Sequence, residues 1–328
     1  MSIFLSLQAQ ENWFLAQKFQ CALSIFSTIL AFVCLLTQTP PNQMVIRQYF
    51  IGIQIVLLIT DIFIDFLCQP IAFFPAPAAF CVGVLCRAGM TIKTASVVVM
   101  FLLSSVGFFV LSYCLYRHQV ILPSYNPFKM SARTFFFFRG ALVVCLTALS
   151  LTYLISPAPD TEHLLDSFVP DIKWIRGRGS YYFQEITGTV KGVCWAAIVA
   201  LVIAASTVVS LFGHMFYVLN IETHKRSKSS STAIRKSLAI LFAQLIVPLA
   251  LIFVPISLVF LALLLPGTFS FDFLSSMCFI ITLHPIGHNI LLISLTPAYR
   301  RFIISWLCCK RKSSRSFDIL RVASGRKY

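Results

Sequence analysis

Long apolar runs separated by short polar stretches organise the chain: Phe19–Leu36, Ile46–Cys68, Lys93–Tyr116, Phe135–Ser156, Gly192–Leu219, Leu238–Leu265 and Phe273–Leu295. A helix needs about 20 mainly apolar residues to cross a hydrocarbon core roughly 30 Å thick, and each of the seven runs is of that order. The predicted fold is therefore an all-α integral membrane protein, a seven-transmembrane helix bundle. The first run is interrupted by Ser24, Ser27 and Thr28. It lacks the basic leader and small-residue cleavage site of a signal peptide, so it is read as a span. Beyond Pro297 the pattern changes, with Tyr299, Phe302, Ile303, Trp306 and Leu307 at helical spacing between basic residues. That spacing predicts a short amphipathic helix lying along the inner membrane surface. The expected division is an extracellular N-terminus (1–18), a seven-helix domain (19–296) and a basic cytoplasmic tail (297–328). No repeat relates the two halves, which speaks against a transporter built from inverted repeats.

Composition agrees with the pattern. Of the 328 residues, 58% are hydrophobic and only 11% charged, against about 25% charged in a soluble domain. Too little polar surface remains to coat a water-facing globule, and disorder is excluded by the abundance of aromatic and aliphatic residues. The net charge of +15 adds orientation. With the amino terminus outside, nineteen of the 26 Lys and Arg fall in the inner loops and tail, so the carboxyl terminus is inside. That location also assigns the surplus to membrane lipids, and no nucleic acid partner is called for. The 11 Cys show neither CxxC nor metal-ligand spacing and read as buried apolar residues.

A few residues do not fit plain helix packing. Asp61 and Asp65 lie one turn apart in the second run and share a face. A carboxylate in hydrocarbon is costly unless it meets a cavity or a partner. Lys93 is the expected counter-ion, though Asp65 could instead mark the helix end at the outer headgroups. Gln69 to Pro77 holds three prolines and predicts an extended outer turn. Pro157 to Lys191 is the longest outer loop, a lid or a solvated connector. His284 and His288, four apart around Pro285, have the spacing of a zinc pair but no carboxylate nearby. A proline-bent helix with polar residues turned inward is the preferred reading. Cys308 and Cys309 follow the amphipathic helix and are candidates for S-palmitoylation. No nucleophile motif, phosphate loop, dinucleotide fingerprint or HExxH pattern occurs, and neither an enzyme, a metal nor a cofactor is called for.

The sequence also resembles the nematode serpentine chemoreceptors, nearest to serpentine receptor class I and then class H. The likeness rests on Thr60-Asp61-Ile62 leading to Gln69-Pro70 and Phe74-Pro75, on Ala79-Phe80-Cys81-Val82-Gly83, on Tyr116-Arg117-His118-Gln119, and on Leu283-His284-Pro285 running to Thr296-Pro297-Ala298-Tyr299-Arg300-Arg301. It implies a chemosensory receptor in the plasma membrane of a sensory neuron with exposed cilia. Such a receptor binds a small external chemical in the outer half of the bundle and activates a heterotrimeric G protein. Asp61, Asp65, Lys93, His284 and His288 are the expected ligand-binding residues. Arg117, His118, Lys225, Arg226, Arg235, Lys236, Arg300 and Arg301 are the expected coupling residues, with lipid anchoring as the alternative for Arg117. Two departures from better-known receptors stand out: no acidic residue precedes Arg117, and the outer 157–190 loop has no Cys. Cys81 or Cys86 with Cys194 is then the substitute disulfide. The rival class is a seven-span ligand-gated ion channel, which places the amino terminus inside and so conflicts with the charge count.

Overall fold

The computed structural model describes residues 4–74, 76–156, 161–167, 172–221, 228–265, 267–306 and 308. Helix α1 (Leu7–Gln38) begins a dozen residues before the predicted run. Ser6 caps it by accepting from the Ala9 N–H at 3.1 Å, so the polar Gln8–Lys18 stretch is helical too. Thr39 and Pro40 end it in extended backbone, as a residue before proline prefers. Helix α2 (Met44–Asp61) passes into a π-helical segment, Ile62–Cys68, which ends at Gln69 in the left-handed region with φ 47°.

The proline-rich outer turn is a hairpin of β1 (Pro70–Ala72) and β2 (Ala78–Cys81), followed by the single turn α3 (Val84–Arg87). Helix α4 (Ile92–Ile121) is capped by Thr91 and α5 (Ala132–Ile155) by Ser131. The long loop predicted after α5 is partly ordered into α6 (Thr161–Ser167) and β3 (Ser180–Phe183). Strand β3 pairs antiparallel with β2, Ala79 opposite Tyr182 and Phe80 opposite Tyr181, giving a three-stranded sheet β1-β2-β3. The helical expectation holds for the bundle, and the sheet is an addition. Its strands of three and four residues are too short to impose a period-two signature.

Helix α7 (Gly188–Ile221) is continuous. The sixth predicted run is divided into α8 (Lys228–Pro248), a π turn at Leu249–Phe253 and α9 (Val254–Leu264). Pro248 and Pro255 flank that break, and each lacks the N–H that a regular α ladder uses. The seventh is α10 (Phe271–Thr282) and α11 (His284–Leu295), bent by 43° at Leu283 next to Pro285. Among the described residues five helices are long and apolar enough to span a membrane, and the bent pair makes a sixth span if taken as one. Residues 297–306 are helical, α12; Tyr299 is buried, while Arg300, Arg301 and Trp306 are exposed.

Two cores position the functional surfaces. Leu35, Phe50, Leu57, Tyr113, Met215 and Leu292 belong to the core that joins the helices. Gly52 lets α2 and α4 approach, since a Cβ there would stand 2.4 Å from the Phe109 ring. A second core, with Phe73, Phe80, Leu165, Ile172 and Ile175, packs the sheet against α6. Gly83 is needed where the chain leaves β2, because a Cβ would lie 2.2 Å from the Leu67 carbonyl oxygen.

Candidate functional site

Below the sheet the helices diverge around a cavity of about 650 Å³, within the usual range for small-molecule pockets. Its wall includes Trp13 and Gln17 from α1, Phe63 from the π segment, Ser96 and Val99 from α4, Tyr153 from α5, Val193 from α7 and Phe279 from α10. Ala79 and Tyr182, paired across the sheet, also line it. Alternation along a strand sends the neighbouring Tyr181 to the other face. There it donates to Glu162, a bond that holds its hydroxyl above its ordinary pKa.

One polar network spans the wall. Tyr153 Oη and Tyr182 Oη donate to Gln184 Oε1 at 3.0 and 2.8 Å, and Gln184 Nε2 donates to the Glu185 carbonyl at 2.9 Å. That backbone carbonyl settles the amide orientation, because only the NH₂ end can face it. Burial also pushes the Tyr182 hydroxyl up.

The three-stranded sheet, which borders the cavity as its lid, is joined through the segment before β3 to the start of α1. Arg178 donates to Gln10 Oε1 at 2.8 Å and to the Leu5 carbonyl at 3.2 Å, and its guanidinium lies 5.1 Å from the Trp174 ring centre. On its surface Arg176 pairs with Glu162 at 2.7 Å and Asp166 at 3.0 Å. Cys81 is bonded to Cys86, tying β2 to α3. The substitute pairing with Cys194 is corrected: Cys194 is free and buried in α7, and five residues of chain bring Cys86 to Cys81 first.

The residues expected to bind ligand occupy a different place. None of Asp61, Asp65, Lys93, His284 or His288 lines the cavity. Asp61 accepts a hydrogen bond from Ser24 of α1, and Asp65 is buried, at 1% exposure. Asn289 of α11 donates to Ser27 at 3.1 Å and Thr28 at 3.0 Å. The serines that weakened the first run as a span are thus the polar seam joining α1 to α2 and α11. His284 and His288 are buried with ring centres 5.8 Å apart, and among the described residues no group of three His, Cys, Asp or Glu could hold a metal. Lys93 is not the counter-ion. It sits in the first turn of α4 and donates to the Ser156 carbonyl at the end of α5.

At the opposite end, His118 Nε2 and His214 Nδ1 are 2.7 Å apart, joining α4 to α7. Gln119 closes the α4–α5 turn, accepting from the Met130 N–H at 2.8 Å and donating to the Phe128 carbonyl at 3.0 Å. Arg139 lies over the Tyr49 ring at 5.6 Å, and Arg235 donates to Asn220 at 2.7 Å. Arg117 is half-buried at the same end, and Arg300 and Arg301 are exposed. Lys236 belongs to α8; Lys225, Arg226 and Cys309 lie outside the described residues. Cys308 is exposed and free.

Sequence reasoning missed Trp13, Gln17, Tyr153, Gln184 and His214. The first two lay outside the predicted first span, and a glutamine one turn from a tryptophan at a span's edge was the available signal. Over residues 14–309 the chain matches the family described as serpentine type 7TM GPCR chemoreceptor Srh. No curated protein matches it.

Proposed function

Because the chain belongs to the serpentine type 7TM GPCR chemoreceptor family Srh, we propose that it binds a small external chemical in the cavity beneath the β-sheet and activates a heterotrimeric G protein from the opposite end. The supporting observation is the arrangement itself. A largely apolar cavity is bounded by several helices and a disulfide-tied sheet, and basic residues gather at the far end of the same helices. The Lys and Arg bias makes the lid end extracellular and the His118–His214 end cytoplasmic. Arg117, His118, Arg235, Arg300 and Arg301 then face the G protein and the inner leaflet, and Lys225, Arg226 and Lys236 are proposed as coupling residues from their charge and place in the sequence alone. A ligand shifts the bundle between two packings only through its differential affinity for them. Contact between α4 and α7 at both the cavity and the histidine pair is the route by which that shift reaches the cytoplasmic end. The plasma membrane of a sensory cell, at its exposed cilia, is the location that suits this activity.

The test is ligand-stimulated nucleotide exchange in membranes carrying the full chain with a G protein. Ser96→Phe places a ring in the cavity and is expected to abolish exchange at matched surface levels. An unchanged response in that variant rejects the cavity. A ligand-evoked current that persists without G-protein cycling moves the protein to the ion-channel class.

A further inference from the structure

A second pocket, of about 410 Å³, borders the sheet and shares only Cys81 with the larger cavity among the described residues. Three cations line it, each from a different element: Lys18 of α1, Arg87 of α3 and Arg178 from the segment before β3. No Asp or Glu lines it, and among the described residues none of the three is paired with a carboxylate. Lys173 and Arg176, in the same segment as Arg178, are by contrast each paired with an acid. The bias that gathers Lys and Arg at the inner end does not account for three cations meeting at the lid end. Their frame is fixed. Arg87 Nε donates to the Val82 carbonyl at 2.9 Å, and the Cys81–Cys86 bond ties α3 to β2. Its two Nη groups have no partner among the described residues. Arg178 donates to the oxygens of Gln10 and Leu5, both neutral, so its charge is uncompensated. Gly179, at φ 147°, lets that segment lie against β2, since a Cβ there would stand 2.6 Å from the Cys81 carbonyl oxygen. Lys18 and Arg87 are exposed and Arg178 is half-buried, so solutes reach all three.

We propose that this pocket is a second ligand site, which takes the carboxylate or phosphate group of a small water-soluble anion between Arg87, Arg178 and Lys18. Like charges gathered without a counter-ion repel one another, and an anion among them reverses that cost. The planar guanidinium fork matches the paired oxygens of a carboxylate or phosphate, and holding the arginines in place beforehand lowers the ordering cost of binding. A lipid headgroup offers the same oxygens. Anionic lipids gather in the cytoplasmic leaflet, however, and in the orientation proposed above the lid end is extracellular. That external address rests on the proposed orientation; the binding itself does not.

The experiment measures direct binding of radiolabelled citrate to the full-length chain in phosphatidylcholine nanodiscs, with empty nanodiscs as background. Binding is expected to saturate, to weaken as salt rises, and to be displaced by pyrophosphate but not by the uncharged triethyl citrate. Arg87→Gln is expected to weaken it about tenfold, the worth of one charge-assisted hydrogen bond, and Arg87→Lys to recover only part of that loss, since the charge returns without the fork. Lys18→Gln is expected to weaken it about threefold, as an exposed charge contributes less. Both positions are exposed, and an unchanged thermal midpoint confirms that each variant folds. Arg178 is left intact because it also joins the lid to α1. Absence of saturable citrate binding overturns the inference, as does equal displacement by triethyl citrate or an affinity that both Gln variants retain. Phosphatidylserine that copurifies with the unaltered chain and is lost in Arg87→Gln, without citrate binding, assigns the pocket to a lipid headgroup and overturns the soluble ligand. Nucleotide exchange is not part of the readout, so failure of the proposed coupling and failure of this site are told apart.

Discussion

The carboxyl group of Asp61 is buried in an apolar bundle, where it accepts from Ser24 of the neighbouring helix. Asp61→Asn keeps an acceptor for that hydroxyl and removes the ionisable group. Surface expression is expected to stay near normal while the dose–response curve for ligand shifts; coincident curves would assign Asp61 to packing alone. Gln119 works at the other end of α4, where one amide bonds the Met130 N–H and the Phe128 carbonyl. Gln119→Ala removes both bonds and is expected to cost about 2 kcal/mol, seen as a lower thermal midpoint and faster proteolysis of the α4–α5 turn. The shared face of Asp61 and Asp65 was legible because it depends on spacing within one helix. Their surroundings were not, since Ser24 lies 37 positions away and only packing brings α1 beside α2.

Among the elements, the lid departs most from its sequence expectation. The prolines between Gln69 and Pro77 announced an extended turn, yet a sheet forms because β3 arrives from a loop about a hundred residues downstream. Its anchor is the Cys81–Cys86 bond. Replacing both cysteines by Ser is expected to destabilise the lid by about 2 kcal/mol, the loop-closure entropy of so short a ring. Limited proteolysis within residues 69–91 should accelerate, and ligand affinity should fall before surface expression does. Unchanged proteolysis would show that the aromatic core between the sheet and α6 holds it alone. The bend of the last span was legible from Pro285 in an apolar run. The break in the sixth was not, since the run reads as one span and the π turn between Pro248 and Pro255 depends on how its neighbours pack.

For the whole molecule, the decisive properties are which end faces out and how the inner end is held. A tag at the amino terminus is expected to be labelled on intact cells; labelling only after permeabilisation rejects the orientation and the receptor reading with it. Arg117→Ala should leave ligand binding intact and remove ligand-stimulated exchange, whereas normal exchange at matched surface levels would make that arginine a lipid anchor. Acyl labelling removable by hydroxylamine should be lost when Cys308 and Cys309 are both Ser, because one chain and a basic patch together give stable attachment. Membrane class and the places of the apolar helices were determined by the sequence itself, since bilayer thickness acts on each segment independently of the others. The cavity, the lid disulfide and the His118–His214 link were decided only by the tertiary structure. Each brings together residues from separate elements, or depends on what surrounds them, and pairing across a bundle leaves no period in the chain.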